Sequence, residues 1–146
     1  MSATADPADK SNPAHRLGFE AGQIVQELGY DEDCDQELRE GIEEITGEEL
    51  VDEDYDDVAD GVLLWHREED GDLTDVLVDA LEYLAEGGLI WLLTPKTGRD
   101  GHVEPHEIAE AAKTAGLAHT SSVSLAKDWS GTRLASPKSA KTGGKR

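Results

Sequence analysis

Two short apolar runs, Val62-Leu63-Leu64-Trp65 and Leu89-Ile90-Trp91-Leu92-Leu93, limit what this chain can fold into more than any other feature. Neither alternates polar with apolar residues, so each predicts a strand buried on both faces, as in a parallel sheet. The full strand predictions are Val58–His66, and Leu89–Leu93 ended by Pro95. Parallel neighbours need a crossover, and the intervening sequence supplies one. Asp72-Leu73-Thr74-Asp75 opens a helix. Leu73, Val76, Leu77, Ala80, Leu81 and Leu84 then form an apolar stripe at helical spacing. Gly87-Gly88 is expected to stop that helix.

The same signals extend outward. Gln23–Gly29, bounded by glycines, predicts a first strand. Asp31-Glu32-Asp33-Cys34-Asp35 starts a helix with acids where its dipole favours them. Leu38, Ile42 and Ile45 line one face of it, and Gly47 ends it. Glu49-Leu50-Val51 is a short candidate strand. Pro105 to Ala115 predicts a helix with proline in its first turn, closed by Gly116. Ser121–Leu125 and Thr132–Ala135 predict an antiparallel hairpin around the turn Lys127–Gly131. Strands alternating with helices predict an α/β fold: an open, mostly parallel sheet with helices on its faces and a C-terminal antiparallel hairpin.

One domain is expected over residues 14–137. The flanks, 1–13 and the basic 138–146, lack the apolar surface to offset their ordering entropy and are expected to be disordered tails. The formal net charge is −20, unevenly spread: residues 1–95 hold four basic groups against 28 acids, and residues 96–146 hold nine against five. An acidic body of this kind repels nucleic acid and anionic membrane and selects a cationic partner, or serves solubility alone. Cys34 is the single cysteine, so no intramolecular disulfide forms, and the flanking Asp33 and Asp35 disfavour a thiolate. No apolar run approaches the ~20 residues that span a bilayer, and no basic-then-apolar leader opens the chain. The expected location is the cytoplasm.

The strand, helix, Gly-Gly, strand and closing hairpin from Val62 onward resemble the second half of a class I methyltransferase. This implies a three-layer, Rossmann-like fold shortened from that plan. Leu17-Gly18-Phe19-Glu20-Ala21-Gly22-Gln23-Ile24-Val25, Gly87-Gly88-Leu89-Ile90-Trp91, Pro95-Lys96 and Asp128-Trp129-Ser130-Gly131-Thr132-Arg133-Leu134 resemble the bacterial domain of unknown function 3052. The acidic form resembles its actinobacterial branch. The likeness runs from about Leu17 to Lys138 and carries no activity with it.

Chemistry is sparse. A methyltransferase-type site needs a glycine-rich loop after its first strand, so that backbone can approach the cofactor. Here Glu27-Leu28-Gly29-Tyr30-Asp31-Glu32-Asp33 keeps one glycine among bulky and acidic residues, so no cofactor is expected. His102 and His106 are four apart, but Pro105 places His102 before the helix. No glutamate follows His102 directly, so no metalloprotease motif forms. His66 stands at a strand's C-terminal end, where α/β sheets place ligands, but a structural histidine fits better. Asp70-Gly71-Asp72 lacks the alternating oxygen ligands of a calcium loop and reads as a helix-capping turn. Ser121, Ser122, Ser124 and Ser130 have no nucleophile-elbow context. No catalytic residue or metal site is assigned.

One candidate ligand site remains. Thr94-Pro95-Lys96-Thr97-Gly98-Arg99 leaves the C-terminal end of the central strand with two cations in an acidic body. Thr94, Lys96, Thr97, Gly98 and Arg99 could cradle a small anion, with Trp129 and Arg133 joining from the hairpin. The alternative is an ordinary loop whose cations pair with nearby acids. The function expected is a non-catalytic regulatory or interaction module for a cationic protein partner or a small anionic metabolite. The rival is a divergent methyltransferase-like enzyme.

Overall fold

The computed structural model describes residues 17–119 and 123–135. The expected tails, 1–13 and 138–146, and Ser121 and Ser122 lie outside them.

The chain begins with strand β1, Val25–Leu28. Helix α1, Gln36–Thr46, starts one residue after Asp35, whose carboxylate accepts from Leu38 N at 2.8 Å. Gly47 ends it at φ 76°, a conformation in which a side chain would be strained. Strand β2, Ala59–Trp65, follows. Helix α2, Leu73–Tyr83, is capped by Asp72, and strand β3 runs from Leu84 to Pro95. Helix α3, Pro105–Ala115, has the expected bounds. Short strands β4, Ala118–His119, and β5, Val123–Ser124, precede β6, Trp129–Ala135.

The sheet order is β1-β2-β3-β6-β4, with β5 also pairing β6. β1, β2 and β3 are parallel, and β6 runs antiparallel to β3. The predicted strand at Glu49–Val51 reduces to one parallel bridge, Gln26 to Val51, on the outer side of β1. The chain therefore builds first to one side of β1 and then to the other. The gap between β1 and β2 is the topological switch point, where open α/β sheets bind ligands at their strands' C-terminal ends.

Alternate residues of β2 and β3 explain the unbroken apolar runs. Val62, Leu64, Ile90 and Leu92 pack under α2 and α3 against Leu77, Ala80, Ile108 and Ala112. Leu63, Trp65, Trp91 and Leu93 face the other way, onto Leu38 and Ile42 of α1 with Leu17 and Phe19. Each such side chain contributes about 1.5–3 kcal/mol when fully buried. Three layers result, as expected.

Two local expectations are corrected. Gly87-Gly88 does not stop α2, which ends at Tyr83; both glycines lie inside β3. The register there slips, from Ala59 opposite Leu84 to Gly61 opposite Leu89. A Cβ on Gly88 would sit 2.7 Å from the Asp60 carbonyl oxygen, so the glycine serves close backbone approach in a bulge. The hairpin turn is also tighter than expected. Trp129, Ser130 and Gly131 belong to β6, and Leu125 N and Ala126 N both donate to Trp129 O at 3.2 Å.

Candidate functional site

The C-terminal edge of the parallel strands is organised by two consecutive residues, His66 and Arg67, just beyond β2. Their backbone is fixed by His66 N donating to Leu93 O at 2.8 Å. Strand alternation sends the side chains to opposite sides of the sheet.

Arg67 turns toward the α1 side and is 7% exposed. Its Nη1 donates to Gly29 O at 2.9 Å and to Asp70 Oδ2 at 3.2 Å. Its Nε donates to Asp33 Oδ2 at 3.1 Å, and Nη2 makes a second bond to the same carboxylate. The guanidinium lies 5.2 Å from the Trp129 ring centroid. Trp129 meets Trp65 edge-on at 4.9 Å and donates its indole N–H to Asp33 O at 3.1 Å. Burial by itself would lower the Arg67 pKa, but the Asp33 and Asp70 hydrogen bonds outweigh it and hold the pKa above its ordinary value. The Arg67 hydrogen bond holds the Asp33 carboxyl below the usual range. Cys34, buried beside them, has its thiol pushed up to about 11 by burial. It is no nucleophile at neutral pH.

A second ion pair, between buried Glu27 and half-buried Arg39, stands behind this wall. Glu27, on β1, accepts from Arg39 Nε at 2.6 Å, Arg39 Nη2 at 2.9 Å and Trp65 Nε1 at 2.9 Å. Arg39 also stacks 4.4 Å from the Tyr30 centroid. The Glu27 hydrogen bond raises the Arg39 pKa.

Gly29 ends β1 at φ 79°. A Cβ there would overlap the Trp65 carbonyl oxygen, so this glycine lets β1 and β2 close on each other. The switch-point crevice above it measures about 440 Å³ and is lined by Tyr30, Asp31, Glu53, His66, Asp70 and Tyr83 among others. His66 turns toward the α2 and α3 side, is 2% exposed, and also lines a second crevice of about 320 Å³. Among the described residues its ring has no hydrogen-bond partner. Burial lowers its pKa.

The predicted anion loop lies along the same edge, beside β3. Thr94 is buried and opposite Ser130 in register. Lys96 N donates to Asp128 O at 3.0 Å, and Arg99 N donates to Lys96 O at 3.0 Å. Thr97 and Gly98 are exposed. Arg99 pairs with Asp128 at 3.2 Å, while Lys96 has no ion-pair partner among the described residues. His102 Nδ1 lies 2.9 Å from Pro95 O and braces the loop, so His102 and His106 do not form a pair. Trp129 packs in the Arg67 wall. Arg133 is exposed four residues along β6, opposite Trp91, about 13 Å away at strand rise. The fold thus keeps Lys96, Thr97, Gly98 and Arg99 on one loop, places the Trp129 backbone beside it opposite Pro95 with its ring in the Arg67 wall, and leaves Arg133 further along β6. Asp70 and Asp72 are engaged as helix and turn caps. Among the described residues no group of His, Cys, Asp and Glu could hold a metal ion.

Arg67 and Glu27 were not singled out from sequence. Arg67 did carry a signal: it is one of four basic groups in the first 95 residues and follows a buried strand's C-terminal end.

The strand order and three layers define a Rossmann-like α/β protein with a methyltransferase-like fold. The pyocyanin biosynthetic protein PhzM superposes with a TM-score of 0.63 at 14% identity, over 88% of this chain and 55% of PhzM. A SAM-dependent methyltransferase from Aquifex aeolicus superposes at 0.51 and 15% identity, over 85% of this chain and 89% of that one. At these identities the likeness is one of fold. By sequence, the chain belongs to the family described as protein of unknown function DUF3052, whose model matches residues 14–138. Uncharacterised proteins of Mycobacterium tuberculosis and Mycobacterium bovis are 59% identical over 129 residues, covering 88% of this chain and 81% of theirs. No helix among the described residues is long and apolar enough to cross a membrane.

Proposed function

We propose that this protein is a non-catalytic interaction module that presents an acidic C-terminal edge to a cationic partner. The observation that carries this reading is Arg67. Among the described residues it is the one arginine or lysine lining the switch-point crevice, and Asp33 and Asp70 already hold its donors. Asp31, Glu53, Asp70 and Asp79 make the rest of that lining negative.

The fold class raises S-adenosylmethionine as a ligand, and the residues do not fit it. The glycine after β1 is taken up by contact with Trp65, and its carbonyl is occupied by Arg67. The residues that follow, Tyr30 to Asp33, are exposed and mostly acidic, and they repel a ligand carboxylate. Calorimetry is expected to show no binding of S-adenosylmethionine. Micromolar affinity would overturn this reading in favour of a divergent SAM-dependent methyltransferase.

A second reading is a small anion at Thr94–Arg99, supported by Lys96, which has no ion-pair partner among the described residues, and by the exposed Thr97 and Gly98. A thermal-shift screen with anionic metabolites tests it, since a ligand that binds only the folded state raises the melting temperature.

A further inference from the structure

At the N-terminal edge of the parallel strands, Ala135, Leu89, Gly61 and Val25 form one row across β6, β3, β2 and β1. β6 runs antiparallel to β3, so the chain leaves the sheet at this edge. Strands lie about 4.8 Å apart, which puts Ala135 about 10 Å from Gly61 and about 15 Å from Val25. The segment Asp52–Asp60 links the outer side of β1 to the start of β2 beside that row. Glu27 N donates to Val51 O at one end of it, and Asp60 N donates to Ile24 O at the other, both at 2.8 Å. Its acids are Asp52, Glu53, Asp54, Asp56, Asp57 and Asp60, all exposed, and it has no basic residue. None of these acids has an ion-pair partner among the described residues. Within the segment the hydrogen bonds are local: Asp54 N to Asp52 Oδ1, Tyr55 N to Asp52 O, and Val58 N to Asp57 Oδ1.

A second observation lies under its first residue. Gln26, on β1, is 0% exposed, and its Nε2 donates to Asp52 O at 2.8 Å. That bond fixes which way the amide points. Its Oε1 is buried and has no donor among the described residues. Such acceptors are costly and rare unless a further group completes them.

We propose that the basic segment 138–146 of this same chain docks on the acidic segment Asp52–Asp60. Lys138, Lys141, Lys145 and Arg146 give it four positive charges and it holds no acid. Three residues of extended chain carry Lys138 about 10 Å from Ala135, and the next eight add about 26 Å, enough to pass Gly61 and run along the acids. The ammonium groups pair with the carboxylates. One of them donates to Gln26 Oε1 where the locally bonded segment parts from it. The contact is exposed, so salt screens it and releases the tail. A short tether gives the tail an effective concentration on the order of mM, against which any other cationic group must compete. The inference goes beyond the reading of a cationic partner, since here the occupant is the chain itself.

The full chain is compared by NMR with the full-length variant Lys138→Gln/Lys141→Gln/Lys145→Gln/Arg146→Gln. At low salt the backbone amide signals of residues 52–60 and the side-chain amide signals of Gln26 are expected to differ between the two. They should coincide at about 1 M salt, where the Debye length is about 3 Å. A synthetic peptide of residues 138–146 should bind the variant about tenfold or more tightly than the parent, whose own tail competes. Adding Asp54→Asn/Asp56→Asn to the variant should weaken the peptide several-fold. Adding Glu37→Gln/Glu40→Gln, which removes the same charge on α1, should leave its affinity unchanged. Matching signals over 52–60 at low salt, or equal loss in the two double changes, overturns the proposal. Equal peptide affinity for parent and variant overturns it too, yet leaves an acidic surface open to a partner, so its failure is distinct from that of the function proposed above.

Discussion

The two sides of the sheet meet at consecutive residues, Arg67 and His66, and treat them in opposite ways. On the α1 side, Arg67 meets a carboxylate, backbone carbonyls and an indole face, and its charge is fully matched. On the α2–α3 side, His66 is equally buried, but its ring bonds to nothing among the described residues. A matched buried charge holds elements together, because removing one member strands the other. A neutral ring with no such partner ties nothing together. The α1 side is therefore the one whose charges tie the elements together.

The largest effect should follow from breaking the matched side. Arg67→Met takes a donor from Gly29 O and from the half-exposed Asp33, loses the contact with Trp129, and should cost about 3 kcal/mol, read by urea unfolding. A loss under about 1 kcal/mol would mean that water replaces the guanidinium, and the contrast between the sides would collapse.

Gly29→Ala comes next. It combines a positive φ with overlap on the Trp65 carbonyl, and should cost about 2–3 kcal/mol by the same measurement. A neutral result would show that β1 and β2 can part at the switch point, reopening it to a cofactor.

A smaller effect tests the unmatched side through pH. The folded His66 pKa lies below its unfolded value of about 6.5. The unfolded chain therefore takes up the proton first as pH falls. Stability is full above that value and declines as pH drops from it toward the folded pKa. His66→Gln should remove that part of the decline in a pH series of denaturation curves. An unchanged profile would place the titration elsewhere.

The smallest stability effect is expected at Lys96. Lys96→Ala should change stability by no more than about 0.5 kcal/mol, since the side chain has no ion-pair partner among the described residues. If an anion binds the Thr94–Arg99 loop, the same change should weaken it roughly 10- to 100-fold in calorimetry. Parent-like binding in Lys96→Ala, Arg99→Ala and their double variant would remove the loop from consideration.

Much of the fold could be read from local pattern. The α/β class, β2 and β3, the helix from Pro105 to Ala115, and the Asp72 and Gly47 helix ends follow from periodicity and capping chemistry. The misjudged places depend on neighbours distant in sequence. Gly87-Gly88 suited a helix stop, but the pair is drawn into a bulge by the backbone of β2 at Asp60. Trp129 suited a turn, but pairing with Pro95 extends β6 to include it. The residues of the expected anion loop are placed by two different rules. The adjacent Lys96 to Arg99 stay together, while Arg133 is set apart by the pitch of a strand.

By itself, then, the sequence determined which residues are buried and in what kind of element, because helix and strand repeats are written in spacings of a few residues. It also determined the acidic character of the chain. Only the tertiary structure decided which charges are matched. Arg67 reaches Asp33 across 34 residues, Trp65 reaches Glu27 across 38, and Trp129 reaches Asp33 across 96. Such meetings depend on sheet order and register, which bring distant strand ends to one edge. The same register sends Arg67 into a ring of acceptors and turns His66, one residue earlier, to the opposite side of the sheet.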